Sequence, residues 1–559
     1  MTEPERDATG LATAEGADEA PSAPAAVFDI TVYLRRWRWP LGFGVVALLL
    51  VIRNFSGLAT SPPGLYIDES SIGYNAWAVA HHGVDEHGVG YPLFFEAFGE
   101  FKNPVYIYLL APLTRLFALT PAVERLPAAI LGMVTCLAIA GTAWRLSRSR
   151  PITIVALIMA AFTPWLTQES RVGFEVIAMV AVIAVALFCL SGASPGRPGH
   201  YVLVGFFFGL AIFAYSTARF EVAPLILILA VCYGVHRLDH GDWWIAIIPV
   251  AIAYAIFFQW SGQHPGALTA RFDIISIDAD HPTVGVLVQR FADNYVQHLG
   301  FPFLLTHGDS NLRHNTGFGG MLQVTSLPLI ALGAVACVRR WREPFPVFVL
   351  AGAFLGPIPS ALTTDGIPHA LRSVDMLPFI AVIAIYGLIW LGELVTPRVL
   401  RGALLGVGVL MVLEGGAYTW DLFHAYPARS AGWFDTGVES AISNAYSQLG
   451  PTGHMAVSDT FEQPYIQVLF ALTPDPPTSP STGGMVDPGI SSAPALQALR
   501  VSIVNGRVDQ ANLTTGDIAV LSPTDPAPAH SVVMATEYAA PSGSDPPTPT
   551  VDVYRITAP

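Results

Sequence analysis

The sequence predicts a polytopic α-helical membrane protein that carries a small outer α/β domain. Three observations carry this fold class. Charged residues are 13% of the 559 positions, about half the roughly 25% of soluble domains. Mean hydropathy is +0.50. Twelve apolar runs recur along the chain, and short arginine-bearing loops separate several of them. This composition excludes a disordered chain and an ordinary cytosolic enzyme. A net charge of −14 excludes nucleic acid as a partner. The cysteines Cys136, Cys189, Cys232 and Cys337 each sit inside an apolar run and read as small packing residues.

Taken in order, residues 1–30 are rich in Ala, Glu and Pro and read as a disordered cytoplasmic tail. Arg35, Arg36 and Arg38 precede the first apolar run, 41–52, which reads as an uncleaved span rather than a signal peptide. Further runs cover 103–119, 122–144, 151–167, 175–193, 200–217, 221–236, 243–260, 320–338, 344–361, 373–393 and 402–419. The loops with Arg145, Arg148 and Arg150, with Arg197, with Arg237, with Arg339, Arg340 and Arg342, and with Arg398 and Arg401 test the topology. They share the side of Arg35, Arg36 and Arg38 only if 103–119 does not cross. That segment is therefore expected as an outer interfacial helix. Eleven spans follow, with the N-terminus cytoplasmic and the C-terminus outside. The transmembrane domain covers 31–425, with long outer loops at 55–102 and 261–319. Residues 430–559 turn polar and rich in Pro, Ser and Gly. Helical segments 433–449 and 462–472, a loop at 473–495, and strands at Ile518–Leu521, Val532–Tyr538 and Val551–Ile556 predict an extracytoplasmic α/β domain.

Ionisable groups near the outer span ends are costly unless paired or functional, so they are the candidate site. Asp68 and Glu69 open a helical stretch at 69–82, as N-terminal caps or as a general base. Asp85, Glu86 and His87 form a polar turn. With His81 and His82 they could hold a divalent metal, but the spacing fits a hydrogen-bonded turn better. Glu100 precedes Lys102, the single lysine among 28 basic residues, at the outer start of the non-crossing helix. A compact ammonium there suits an anionic headgroup, or snorkels to lipid. Arg171 stands one helical turn before Glu175, as a salt bridge or as site residues. Arg219, Asp309 and Arg313, and His369 with Arg372, fall in further outer segments. Arginines and carboxylates gathered on one face suit a phosphorylated substrate at the lipid surface.

The strings YIDESSIGYNAWAVAHHGVDEHG, FGEFKNPVYIYLLAP, ERLPAAILG, QESRVGFE, YSTAR, HGDSNLRH and PHALRS resemble, in this order, the family 39 type of GT-C glycosyltransferases. Protein O-mannosyltransferases and the transferases that add aminoarabinose to lipid A are among its members. The resemblance runs from about 60 to about 445. It implies an inner-membrane enzyme that moves a sugar, with inversion, from a polyprenyl-phosphate donor to an acceptor hydroxyl on a protein, polysaccharide or lipid. It implies no metal cofactor. It makes Asp68 the catalytic base and gives Lys102 the donor phosphate. Glu175 falls where the family has a second acidic residue, usually Asp. Arg171, Arg219 and Arg372 match family arginines of phosphate-binding or structural role. Asn103 stands before Pro104 where relatives often have a second proline. A lipid-linked sugar flippase and a non-catalytic membrane assembly protein are the rival readings. A flippase needs charges spread through the membrane depth, whereas these cluster at one face.

Overall fold

The computed structural model describes residues 30–558 except 195, 236–241, 268, 478–493, 506, 507, 509–512 and 542–546. The tail expected at 1–30, up to its last residue, Arg237 and most of the loop expected at 473–495 lie outside the described residues.

Every predicted apolar run holds a helix. In chain order these are Ile30–Phe55, Pro104–Leu116, Leu126–Ser147, Arg150–Phe162, Val176–Ser191, Pro198–Ala214, Ala218–Val235, Ile247–Gln263, Leu327–Arg339, Pro344–Leu355, Met376–Leu394 and Pro397–His424. Many start on proline, whose fixed φ suits the first helical turn and whose missing N–H costs nothing there. Five helical stretches are long and apolar enough to cross a membrane unaided: Pro121–Ser147, Trp243–Gln263, Pro344–Ala361, Met376–Leu394 and Pro397–His424. The buried apolar side chains form one continuous core from the first helix to the last.

Two helices define the axis of the bundle. Leu126–Ser147 and Val176–Ser191 pack side by side. Their N-terminal ends, at Arg125 and Glu175, lie in the polar layer described below. Their C-terminal ends meet at a polar pocket lined by Arg145, Arg148, Gly192, Arg197 and His200. The arginine-bearing loops 145–150 and 192–200 thus share the end of the bundle opposite the candidate site. Leu327–Arg339 and Met376–Leu394 cross closely through two glycines. A Cβ on Gly333 would lie 1.8 Å from the Ile383 carbonyl oxygen, and one on Gly387 would lie 2.1 Å from that of Leu329.

The C-terminal domain, expected on the outer side, is a five-stranded sheet in the order Val501–Val504, Met455–Ser458, Ile518–Leu521, Pro549–Ile556, Ser531–Tyr538. The first three strands are parallel and the last two pair antiparallel. Three of the five were expected. Met455–Ser458 and Val501–Val504 are four-residue central and edge strands, too short to show a clear alternation. The helices sit at Val438–Ser447 and Pro464–Leu472. Helix Ile67–His82 belongs to both bodies: Ile72 and Ala76 enter the bundle core, while Ile67 and Tyr74 enter the core of the outer domain.

Candidate active site

Asp68 stands in the first turn of Ile67–His82, whose N-terminus is fixed by Glu69: one of its carboxylate oxygens accepts the Tyr66 N–H at 3.0 Å. Lys102 is delivered by a short hairpin, Phe95–Ala97 paired with Glu100–Lys102. Phe98 and Gly99 make its two-residue turn, both with positive φ, as the right-handed twist of a tight hairpin requires. The hairpin brings the Lys102 ammonium to 2.5 Å from Asp68 Oδ1 and 2.9 Å from Glu100 Oε1. Lys102 is 6% exposed, while the two carboxylates remain partly open to solvent. Burial alone would lower the lysine pKa. Asp68, Glu100 and Glu175 more than offset it and hold the group charged, well above its ordinary value. Two of the three ammonium protons point at Asp68 and Glu100, which leaves one for an anionic ligand.

Next to this pair, Glu175 caps the N-terminal end of Val176–Ser191. Its Oε1 accepts the Asn103 N–H at 2.6 Å and its Oε2 accepts Asn103 Nδ2–H at 2.7 Å. Asn103 Oδ1 in turn accepts from Arg219 at 2.5 Å. The Arg219 guanidinium also lies over the rings of Phe94 and Phe257, 4.9 and 5.1 Å from their centroids. Asp68, Glu100, Lys102, Glu175 and Arg219 are therefore one array, with Asn103 as its link. Asn103 was noticed in the sequence only as a departure, and its linking role was missed. Arg372 donates to Thr363 Oγ1 and to Asp365, 3.0 Å from the Asp365 carboxylate.

Other predicted site residues have structural duties. Glu69 is withdrawn from a catalytic role: it is wholly buried in an ion pair with Arg125, at 2.7 and 2.9 Å, and also accepts the Gly173 N–H. Arg125 closes the turn after the first helix by donating to the carbonyls of Leu58, Pro62 and Gly64. The sequence offered no sign of this, because an arginine beside a helix start looks like a loop residue. Arg171 is likewise corrected. It makes no ion pair with Glu175 and is not open to phosphate. Its guanidinium is spent on the carbonyls of Arg53, Asn54, Ser56, Gly57 and Ser61, where the first helix ends. Asp85 accepts the His87 and Val89 N–H groups, Glu86 is bonded to Asn75, and His87 reaches the Glu96 carbonyl. These bonds make it a hydrogen-bonded turn. Arg313 stacks on Tyr66 at 3.6 Å and reaches Glu462 of the outer domain at 3.3 Å. Asp309 and His369 belong to a separate buried cluster behind Phe174.

An apolar groove of about 570 Å³ opens beside the array. Pro104 and Val105, which follow Asn103, line it with Tyr108, Leu131, Ala178 and Phe213. Its walls carry almost no polar surface, and one end lies within a helical turn of Lys102 and Glu175 in the chain.

A family described as dolichyl-phosphate-mannose-protein mannosyltransferase matches residues 102–260, which include Lys102, Asn103, Arg171, Glu175 and Arg219. No curated protein matches the sequence significantly. Among solved structures, ArnT from Cupriavidus metallidurans in the apo state superposes with TM-score 0.56 at 14% identity, over 93% of this chain and 98% of that one. The same protein bound to undecaprenyl phosphate superposes with TM-score 0.53 at 15% identity, over the same shares of the two chains. The superposition covers nearly the whole of both chains, so this helical chain has the fold of ArnT, and its residues 102–260 match the mannosyltransferase family.

Proposed function

We propose that the chain is an inverting glycosyltransferase that takes a hexosyl or pentosyl group from a polyprenyl-phosphate donor. The acceptor is a hydroxyl of a protein, polysaccharide or lipid at the outer face of the plasma membrane. The bundle crosses eleven times, N-terminus inside, with the outer domain over the site. One observation carries the reading: a partly exposed carboxylate, Asp68, touches a buried ammonium, Lys102, where an apolar groove begins. The groove suits the isoprenoid chain and the ammonium suits the phosphate. Undecaprenyl phosphate, bound in one of the superposed ArnT structures, is a ligand of this kind.

The chemistry follows from these parts. The acceptor hydroxyl is a weak nucleophile, so Asp68 takes its proton as the oxygen attacks the anomeric carbon. The bond from that carbon to the phosphate oxygen breaks, and its electron pair leaves with the polyprenyl phosphate. Lys102, with Arg219 linked to it through Asn103 and with Arg372 as the resemblance implies, offsets the charge that collects there. Attack from the side opposite the leaving phosphate inverts the anomeric centre. While no donor is bound, Asp68 and Glu100 hold the Lys102 charge. Arrival of the phosphate draws the ammonium away and frees Asp68 to act as base.

Purified protein given a polyprenyl-phosphate sugar and a hydroxyl acceptor tests this. Asp68→Asn keeps the side-chain shape and an oxygen that can accept from Lys102, but it cannot take the proton. Turnover should fall by roughly a hundredfold or more. Turnover within a few-fold of wild type would remove Asp68 from the reaction.

A further inference from the structure

A second polar cluster lies behind the site, and sugar transfer does not use it. Asp309, His314 and His369 are 2%, 5% and 7% exposed. One potential ligand atom from each lies within 4.8 Å of the others. His314 Nδ1 is 3.0 Å from Asp309 Oδ2, and the His314 and His369 rings face each other with centroids 4.8 Å apart. The cluster is firmly built. Asp309 Oδ1 accepts the Asn311 N–H and Oδ2 the Ala370 N–H, each at 2.8 Å. Asn315 ties the same loop back to the His307 carbonyl at 2.9 Å.

A separate observation points to a cation. Glu169, which ends the turn Pro164–Glu169, is 1% exposed, and neither of its carboxylate oxygens has a hydrogen-bond partner among the described residues. Gln168, its neighbour in the chain, donates to the Arg313 carbonyl at 3.0 Å and sets Glu169 beside the Asp309–His314 loop. Two neighbouring carboxylates in a dry setting are costly unless a proton or a cation offsets them. A dication would balance both, and two imidazoles beside it would complete a mixed nitrogen and oxygen set. Such a set suits zinc rather than magnesium or calcium, which prefer oxygen alone.

We propose that Asp309, His314 and His369 bind a divalent transition metal of the zinc class, with Glu169 supplying the second negative charge. Zinc bonds of about 2.0–2.1 Å place tetrahedral ligand atoms about 3.3 Å apart. The Asp309–His314 edge is already near that, and rotation of the imidazoles closes the wider separation. The metal joins the loop around Asp309–Asn315 to the turn at His369. It thereby holds Arg313 in place over Tyr66, two residues before Asp68. This assignment stands independently of the sugar-transfer reading.

The test uses the full chain, purified without a histidine tag, and measures metal content and zinc affinity directly. Wild type should hold close to one zinc per chain, with X-ray absorption showing nitrogen and oxygen ligands and no sulfur. His369→Ala and Glu169→Gln should each weaken zinc affinity at least tenfold. Added zinc should raise the unfolding temperature of wild type and not of His369→Ala. Glu169→Gln keeps the side-chain volume, so it remains informative if the histidine variant fails to fold. Wild type that binds no zinc when titrated overturns the proposal. Equal zinc affinity in a folded His369→Ala or Glu169→Gln protein overturns it too, and leaves Glu169 as a buried, protonated acid.

Discussion

At the scale of single residues, the choice of lysine over arginine at position 102 has a physical cause. The pocket between Asp68 and Glu100 admits one compact cation 2.5 and 2.9 Å from two carboxylates that approach from different directions. A guanidinium is planar and prefers two parallel bonds to one carboxylate. Lys102→Arg should lower turnover and weaken the donor's apparent affinity. Lys102→Met should lower turnover by roughly a hundredfold, as expected for the loss of a charge that stabilises the leaving group. Turnover across donor concentrations checks both, and a Lys102→Arg protein equal to wild type would reduce the lysine to an anchor. The sequence suggested an interfacial side chain of little structural weight. The structure finds it buried, so Lys102→Met should also lower the unfolding temperature. Asp68 and Lys102 were legible because one begins a helix at an outer boundary and the other is the chain's only lysine. Glu69 and Arg171 were misread for one reason. Their partners, Arg125 and the carbonyls that end the first helix, lie far off in the sequence. The two departures from the family pattern explain each other: Asn103 bonds Glu175 through its backbone N–H and its amide. A proline there would supply neither.

At the scale of elements, apolar length was enough to find the twelve helices that occupy the apolar runs, because a lipid-facing segment must satisfy its own backbone. Their contacts were not legible. Gly333 and Gly387 read as ordinary small residues, yet they set a close helix crossing. Small residues let helix backbones approach in a membrane, where apolar burial no longer drives association. Gly333→Ala should part Leu327–Arg339 from Met376–Leu394, at a cost of about 1–3 kcal/mol. Thermal unfolding of the purified protein checks this. Ala substituted at Gly402, where a Cβ meets nothing within 4 Å, is the control and should leave the unfolding temperature unchanged. The outer sheet was half legible for the opposite reason. Ile518–Leu521 announces itself as a buried β-branched and aliphatic run. Met455–Ser458 is a strand only because two parallel neighbours flank it.

At the scale of the whole molecule, two questions remain mechanical: how the outer domain is held, and which way the chain threads the membrane. The domain docks through Tyr66 to Glu462, Ser70 to Gln467 and Tyr74 to the Pro474 carbonyl. Asp435 sits in this seam, bonded to Gln467. Burial, then the charge of Glu462, pushes its carboxyl up to about 7, with Arg313 opposing. A carboxyl whose pKa rises on folding stabilises the folded state below its unfolded value, near 3.9, and loses that contribution as pH climbs through about 7. The unfolding temperature should therefore fall between pH 5 and pH 8 more in wild type than in Asp435→Asn. Equal slopes would clear Asp435 of the effect. Threading turns on Pro104–Leu116. Length does not decide it, because Leu327–Arg339, also 13 residues, is read as a span. The chain comes back to its starting level. The Tyr106 hydroxyl, one turn into the helix, donates to the Glu124 carbonyl at 2.9 Å, and the next residue, Arg125, pairs with Glu69 beside Asp68. A segment that crossed would leave Glu124 at the opposite face, with the arginines of loop 145–150. Thr120 is a suitable reporter: it lies in the connection after the helix and its hydroxyl only caps Val123. The four native cysteines are buried, so an introduced cysteine is the reactive one. Thr120→Cys should react with a membrane-impermeant maleimide added outside intact cells. Reaction only after the cytoplasmic side is opened would make Pro104–Leu116 a span and invert every segment after it, the arginine loops included.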